Sequence, residues 1–495
     1  MLPILVTSLL VVGAVLAALL VTLGMASAVQ FTSRRDHGYM HLAFYAILLI
    51  VALTNFFSGR DLTTTALSFK EPEEVIRNPL MVLAQPLVSL FLLTIAGERI
   101  ITHWLQRQKD TRGFMPTVLM MTFILYWSCT VAAPALWGAH PAVSYYYIYP
   151  LIIGAAALLV NATERDLAFV AARNALLLFM GAGLLLIPFA TSRVLDISYM
   201  QGLLPGVPRF AGLAPHGVSM GMLAQLALLC LLAYPFRRAW LNWLAWATGL
   251  GVLFLAQSKT AWISFVLCLV CMIAVRKAPT LLRRAGDPMR PEFGMVSLLV
   301  FMAGVLTVTL VVMFGDLGAR LGSFFDSTQG AQLASLTGRD QIWAIAYDEW
   351  QRNPVFGYGP NIWDATFRIS IGMPYATHGH NQFMDTLSRS GTVGAVALVL
   401  YALVLLVLSI RYARATHGIS VALFLAMALR SISEVPLLMF VYDAELLNHV
   451  LLLMTLAVAA RQARATSRAA QAHTPVNVTP LRSYPSPARH PLGAP

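Results

Sequence analysis

Charge is scarce in this chain: only 11% of its 495 residues are Asp, Glu, Lys or Arg, against 58% hydrophobic, and the mean hydropathy is +0.70. That is too little polar surface to coat a water-soluble globule, so lipid is the expected solvent. Cysteine is scarcer still. Cys129, Cys230, Cys268 and Cys271 all fall inside apolar stretches, where a thiol behaves as a small buried hydrophobe. The Cys268-x-x-Cys271 spacing has no second pair and no neighbouring histidine, which argues against a zinc or redox centre. The first apolar stretch lacks a basic segment before it, and Arg34 and Arg35 follow it, so it reads as an uncleaved first span rather than a signal peptide. A single basic face is also missing. The net charge of +12 comes from Lys and Arg scattered between apolar stretches, which speaks against nucleic acid as a partner.

What the chain has in abundance is long apolar runs. A helix needs about 20 mostly apolar residues to cross a hydrocarbon core of roughly 30 Å. Thirteen such runs lie near 3–23, 41–57, 79–97, 116–134, 143–160, 172–190, 216–234, 240–256, 261–275, 294–314, 392–410, 419–433 and 446–460. The second and the last three are short, so twelve to fourteen spans fit. The expected fold class is all-α: a polytopic membrane protein with about 12–13 transmembrane helices. Residues 1–314 would form ten spans with short loops, 315–391 a large loop, 392–460 the C-terminal spans and 461–495 a disordered basic tail rich in Pro, Ala, Arg and Ser. Sorted by alternate loops, most of the 34 Lys and Arg fall on one side, which the positive-inside rule makes cytoplasmic. The N-terminus is then expected outside and the C-terminus inside.

Three outside segments are long or polar enough to carry chemistry: 58–78, 191–215 and 315–391. The second ends in Pro205-Gly206-Val207-Pro208-Arg209-Phe210-Ala211-Gly212, whose Pro and Gly spacing favours a defined turn and holds Arg209 on a stiff loop. In the third, Thr337-Gly338-Arg339-Asp340 has the spacing of a capping box, followed by an amphipathic run with Ile342, Trp343, Ala346, Tyr347 and Trp350. This reads as a helix lying at the membrane surface, ended by Asn353-Pro354 and turned back by Gly357-Tyr358-Gly359-Pro360. Arg339 in its first turn opposes the helix dipole, a conflict that a bound phosphate relieves.

Further on come Thr377-His378-Gly379-His380-Asn381 and then Gly391-Thr392-Val393-Gly394. Together with Arg209 in its PRFAG loop, Gly338-Arg339 with Trp343, and the NPVFGYG turn, this order resembles the O-antigen ligase and Wzy-type polysaccharide polymerase superfamily over roughly residues 200–435. The resemblance implies a membrane glycosyltransferase in the bacterial cytoplasmic membrane that takes a glycan from a polyprenyl-pyrophosphate carrier and joins it to an acceptor on the periplasmic face. The implied acceptor is a lipid-linked glycan in a polymerase or lipid A core in a ligase, with a chain-length regulator and a flippase as expected partners and no cofactor. Arg430-Ser431-Ile432-Ser433-Glu434 and Gln257-Ser258-Lys259-Thr260 look more like the exopolysaccharide polymerases. A transporter or flippase is the competing class, but its ionisable residues would sit near the bilayer midplane.

Such a reaction builds negative charge on a leaving pyrophosphate, which needs a metal or fixed cations. The loops carry no compact acidic cluster of the magnesium-binding kind, so no metal is expected. Arginine serves instead, because its planar fork binds phosphate oxygens in pairs and stays charged. Arg209 and Arg339 are the candidate clamp, with snorkelling or a loop salt bridge as the plain alternative. Lys259 reads first as a boundary residue and otherwise as a third positive charge. His380 matches the family's functional histidine, making it the candidate general base or acceptor-orienting group. His378-x-His380 has the look of a metal pair, though the family motif needs only the second histidine. Asn381, Gly391 and Gly394 belong to the same motif as supporting residues. Asp385, about 140° around a helix from His380, reads as a solvated acid. Arg430 and Glu434, one turn apart, either neutralise each other or leave Glu434 to orient His380 or touch substrate.

Overall fold

The computed structural model describes residues 2–35, 37–62, 79–109, 117–197, 199, 204, 206–285, 295, 302, 339–373 and 376–472. The architecture is all-α, as the composition requires, with one two-stranded ribbon among the described residues. The first half holds α1 (Leu2–Thr32), α2 (Ala43–Phe57), α3 (Pro79–Lys109), α4 (Thr117–Trp127), α5 (Ala133–Trp137), α6 (Ile148–Leu158) and α7 (Ala162–Leu185). A π-helical turn, Ser128–Ala132, joins α4 to α5. A short α8 (Thr191–Val194), β1 (Leu195–Asp196) and β2 (Arg209–Phe210) precede α9 (Gly217–Ala233), α10 (Ala239–Leu255) and α11 (Lys259–Ala285). The C-terminal part contains α12 (Arg339–Arg352), α13 (Ala365–Ser370), α14 (Gln382–Arg411), α15 (Ile419–Ser431) and α16 (Leu446–Ala472).

Eight described helical segments are long and apolar enough to cross a membrane, and four shorter apolar helices lie among them. Twelve of the thirteen expected spans therefore coincide with helix, and the tenth, 294–314, lies outside the described residues apart from 295 and 302. The main core is an apolar cluster in which Phe44, Phe123, Phe169, Leu228, Tyr401 and Leu452 are buried. Lipid-facing positions such as Leu83, Trp243 and Leu185 stay exposed on the outside of the bundle. Backbone polar groups have no water partner in hydrocarbon, so helices satisfy them internally.

The basic loops gather at one end. Arg461 of α16 donates to the carbonyls of Leu158 and Val160. Arg276 of α11 reaches the His417 carbonyl, and Arg99 of α3 pairs with Glu164 of α7 at 2.5 Å in a fully buried site. Glu164 also closes the capping box of α7 with Asn161, which starts that helix. At the opposite end, Arg60 donates to the carbonyls of Gly212, Ala214 and Pro215, tying the segment after α2 to the turn before α9.

Two expected boundaries shift. The large loop ends at Asn381, because residues 382–390 are already helical and join the following span across Gly391. The last helix continues to Ala472, past residue 460 where a disordered tail was expected to begin. The amphipathic helix α12 is present from Arg339, with Thr337 and Gly338 of its expected cap outside the described residues. Its Ile342 and Ala346 do not meet lipid: they pack into a small separate core with Ile362, Trp363, Phe367 and Ala376. A helix amphipathic enough for a membrane surface buries the same stripe equally well against protein, and here α13 and the loop around it supply that protein face.

Candidate active site

The break in α14 organises this end of the molecule. Gly391 has φ 64° inside an otherwise continuous helix, a left-handed conformation that glycine adopts without penalty. The broken turn exposes backbone groups, and the NPVFGYG turn fits onto them. Tyr358 and Gly359 amides donate to the carbonyls of Ser388 and Arg389, while the amides of Thr392 and Val393 donate to Pro354 and Val355. Each of these four bonds contributes about 0.5–1.5 kcal/mol. The fit needs bare backbone on both sides. A Cβ at Gly391 would overlap the Val355 carbonyl, and one on Gly357 would lie 2.6 Å from the Gly391 nitrogen. The motif glycine Gly394 has a similar cause, since a Cβ there would run into Ser390 one turn earlier.

Upstream of the break, α14 begins at Asn381, whose side chain caps the helix by accepting from the amides of Phe383 and Met384. The same side chain donates to the Ile432 carbonyl at 3.3 Å, joining the start of α14 to the end of α15. His380 immediately precedes this cap and has φ 46°. A non-glycine residue persists there only when its surroundings hold it. The surroundings do. The His380 amide donates to His378 Nδ1 at 3.1 Å, the Gly379 amide donates to Asp385 at 2.9 Å, and Trp343 of α12 donates from its indole to the Gly379 carbonyl at 2.9 Å.

Asp385 is thus not the solvated acid that the sequence suggests. It is 1% exposed and paired with Arg389 at 3.2 Å. The chain folds back at Gly379, so the carboxylate meets that backbone amide and never needs to point toward the His380 ring. Because Nδ1 of His378 accepts the His380 amide, its Nε2 carries the proton and donates to Glu434 at 3.0 Å. His380 Nδ1 lies 3.9 Å from the same carboxylate and is buried without a hydrogen-bond partner.

Glu434 is the hub. Burial raises its pKa, but the His378 hydrogen bond and the Arg430 charge, with the His378 and His216 rings beside it, outweigh it and hold the carboxyl well below the usual range. The expected pairing with Arg430 does not form: Arg430 reaches across to Glu445 at 2.7 Å. The Glu434 amide still donates to the Arg430 carbonyl at 2.9 Å, so the two backbones stay one turn apart while the side chains part, Glu434 toward His378 and Arg430 toward Glu445.

Arg209 sits on β2, opposite Asp196 in the ribbon, and is 9% exposed. Its Nε donates to the Ala256 carbonyl at 3.0 Å and its guanidinium stacks 4.3 Å from the Tyr199 ring centre. Gly217 leaves the space in which this guanidinium lies. Burial lowers the Arg209 pKa, with Tyr199, Asp196 and Glu434 opposing that shift. Arg339 opens α12, and burial lowers its pKa against the pull of the same Glu434. So Arg209, Arg339, His380 and Glu434 share one electrostatic neighbourhood. Lys259 is exposed at the start of α11, and the residues of its turn that touch the Arg209 loop are Ala256 and Gln257, the latter donating to Val207 at 2.8 Å.

His216, the side-chain cap of α9, is the histidine that sequence reasoning missed. Burial pushes its pKa down to about 4, with Glu434 opposing and Arg430, His378 and Arg209 adding to the shift. For His380 the value falls to about 4, again through burial first, then His378 and Arg339, with Glu434 and Asp385 opposing. Both imidazoles are neutral at pH 7. His378, His380 and Glu434 offer ligand atoms within 4.8 Å of one another, a spacing suited to a divalent ion. The guanidinium groups of Arg209, Arg339 and Arg430 act on the same carboxylate, and this positive surround favours an anion over a dication. Chemically the arrangement offers fixed cations for phosphate oxygens and a neutral imidazole for a hydroxyl proton.

Residues 243–399 match the family model described as O-antigen ligase. The matched stretch holds Lys259, Arg339, His380, Asn381, Gly391 and Gly394, while Arg209, Arg430 and Glu434 lie outside it. No curated protein matches this chain.

Proposed function

From the premise that this chain carries a domain of the O-antigen ligase family over residues 243–399, we propose that it is a Wzy-type polysaccharide polymerase working on the periplasmic face of the bacterial inner membrane. Its donor is a glycan on polyprenyl pyrophosphate and its acceptor the next lipid-linked repeat unit. The acceptor oxygen bonds to the anomeric carbon, the bond from that carbon to pyrophosphate breaks, and polyprenyl pyrophosphate leaves. His380 takes the acceptor proton, and Arg209 and Arg339 bind the phosphate oxygens on which charge develops. Lys259, exposed at the edge of the same loop cluster, adds positive potential at the entrance. The scheme uses fixed cations and no metal.

The observation that supports this reading is that His380 lies 3.9 Å from Glu434, while Arg209 and Arg339, from two distant parts of the chain, both feel the charge of that carboxylate. A base with a pKa near 4 is weak, but a pyrophosphate beside it favours the imidazolium and raises its basicity once the donor is bound. Glu434 and His378 hold the histidine turn in place. In this scheme the C-terminus and the basic end of the bundle face the cytoplasm.

The family description favours a second reading, an O-antigen ligase that attaches the glycan to lipid A core. Purified protein given lipid-linked oligosaccharide separates the two: a ladder of lengthening products marks a polymerase, and one attachment to lipid A core marks a ligase. Product formed in detergent, without a sealed membrane, argues against a transporter. His380→Ala should abolish transfer while leaving expression and membrane insertion unchanged, and full activity in that variant removes the base assignment.

A further inference from the structure

At the arginine-rich end, far along the chain from His380, a cavity of about 440 Å³ opens between α4, α14 and α16. Its walls and its mouth differ in chemistry. Leu403 and Val407 of α14 and Val118 of α4 line it while remaining more than half exposed, which leaves an apolar wall open to the bilayer side of the bundle. The mouth is formed by Arg411, at the last turn of α14, with Arg464 and Ser467 of α16. Arg461, deeper in the same wall, is pinned by the carbonyls of Leu158 and Val160 and fixes α16 against the end of α6.

We infer that this groove is a binding site for a phospholipid whose headgroup carries net negative charge. An acyl chain satisfies the apolar walls, which no described residue covers. Arg411 and Arg464 stand where that chain reaches its headgroup, and two guanidinium groups complement a phosphate oxygen pair. A zwitterionic headgroup would place its own cation beside those arginines. The volume lies within the roughly 300–1,000 Å³ of ordinary ligand sites. Bound lipid would bridge α4, α14 and α16, whose far ends carry the π-turn, the broken helix and the segment after Glu434. The inference does not depend on the reaction assigned to the other end.

The test is native mass spectrometry of the full-length protein in detergent, titrated with phosphatidylglycerol, cardiolipin, phosphatidylcholine or inorganic phosphate. The wild-type protein should retain the two anionic lipids and neither of the others. Arg411→Gln with Arg464→Gln should weaken retention about 30-fold, two lost charges at about 1 kcal/mol each. Val407→Trp, which fills the apolar wall and keeps both arginines, should also abolish retention and decides the matter where the double variant folds poorly. Equal retention of phosphatidylcholine overturns the charge selection. Retention of inorganic phosphate with equal strength makes this a soluble-anion site and overturns the lipid. Undiminished lipid binding in Val407→Trp places the lipid elsewhere and overturns the groove.

Discussion

The carboxylate of Asp385 accepts the Gly379 amide at 2.9 Å, and through that bond a residue buried in α14 sets the turn on which His380 stands. Arg389 holds the other side of the carboxylate and also donates to the Pro360 carbonyl, so the histidine turn, the NPVFGYG turn and the first half of α14 are tied at one acid. Asp385→Asn keeps the shape and removes the charge. A hydrogen bond to a charged group contributes about 1.5–3 kcal/mol, so turnover should fall about 10- to 100-fold as His380 loses its support. The Michaelis constant for donor should change little, because Arg209 and Arg339, proposed to bind the phosphates, are untouched. An equal loss in donor affinity would place Asp385 in binding instead.

Gly391→Ala addresses the helix break. The substitution meets a φ of 64° and the Val355 carbonyl at once. The backbone strain is of order 1–3 kcal/mol, before any overlap is counted. The variant should melt several degrees lower in detergent and lose activity in proportion to the folded fraction. Gly181→Ala, in an open position on α7, should melt like the parent protein. If the two variants behave alike, the NPVFGYG turn does not depend on a bare backbone at 391.

The bundle was legible because its signal is local: runs of apolar residues name their own helices, and twelve of thirteen coincide with helix. The site was legible only in part. His380, Arg209 and Arg339 stood out through a resemblance of motifs. What holds them depends on contacts that no spacing encodes. Asp385 looked misplaced because the helical angle from His380 says nothing about a backbone amide reached by a reversed turn. One helical turn between Arg430 and Glu434 left two readings open, a mutual pair or Glu434 turned to His380 or substrate; the fold sends the Arg430 guanidinium to Glu445 and the Glu434 carboxylate to His378. His216 offered a weak sequence signal, a histidine directly ahead of an apolar run where a cap belongs. Only the fold brings it to Glu434.

Two imidazoles held near pKa 4, His216 and His380, make a statement about pH. Their folded values lie below the ordinary 6.5, so the unfolded chain binds more protons between those limits. The stability that they contribute is fully present above pH 6.5 and is lost as pH falls from about 6.5 to about 4. Thermal melting should therefore decline across that window, and less steeply in His216→Gln. In kinetics, kcat/KM reports the free enzyme and should show its acid limb well below pH 6, whereas the limb in kcat should lie higher, because bound pyrophosphate stabilises the imidazolium. Coincident limbs at pH 6.5 would contradict the burial of His380.

Arg209 and Arg339 differ in what surrounds them, and the difference predicts how lysine substitution behaves. Arg209 is braced by the Ala256 carbonyl, stacked on Tyr199 and enclosed at Gly217, so its Nε is already taken and the proposed clamp has the rest of the fork. Lysine there keeps the charge but loses both the stacking and the paired geometry. Arg339 starts a helix and is less enclosed, so lysine there loses the fork alone. Donor turnover should fall about 100-fold in Arg209→Lys and about 10-fold in Arg339→Lys, taking about 1.4 kcal/mol per factor of ten and one to two such losses. Chelator should leave the parent enzyme unaffected, because in this scheme guanidinium groups and not a metal ion carry the leaving-group charge. Normal rates in both lysine variants combined with inactivation by chelator would transfer that role to a metal held by His378, His380 and Glu434.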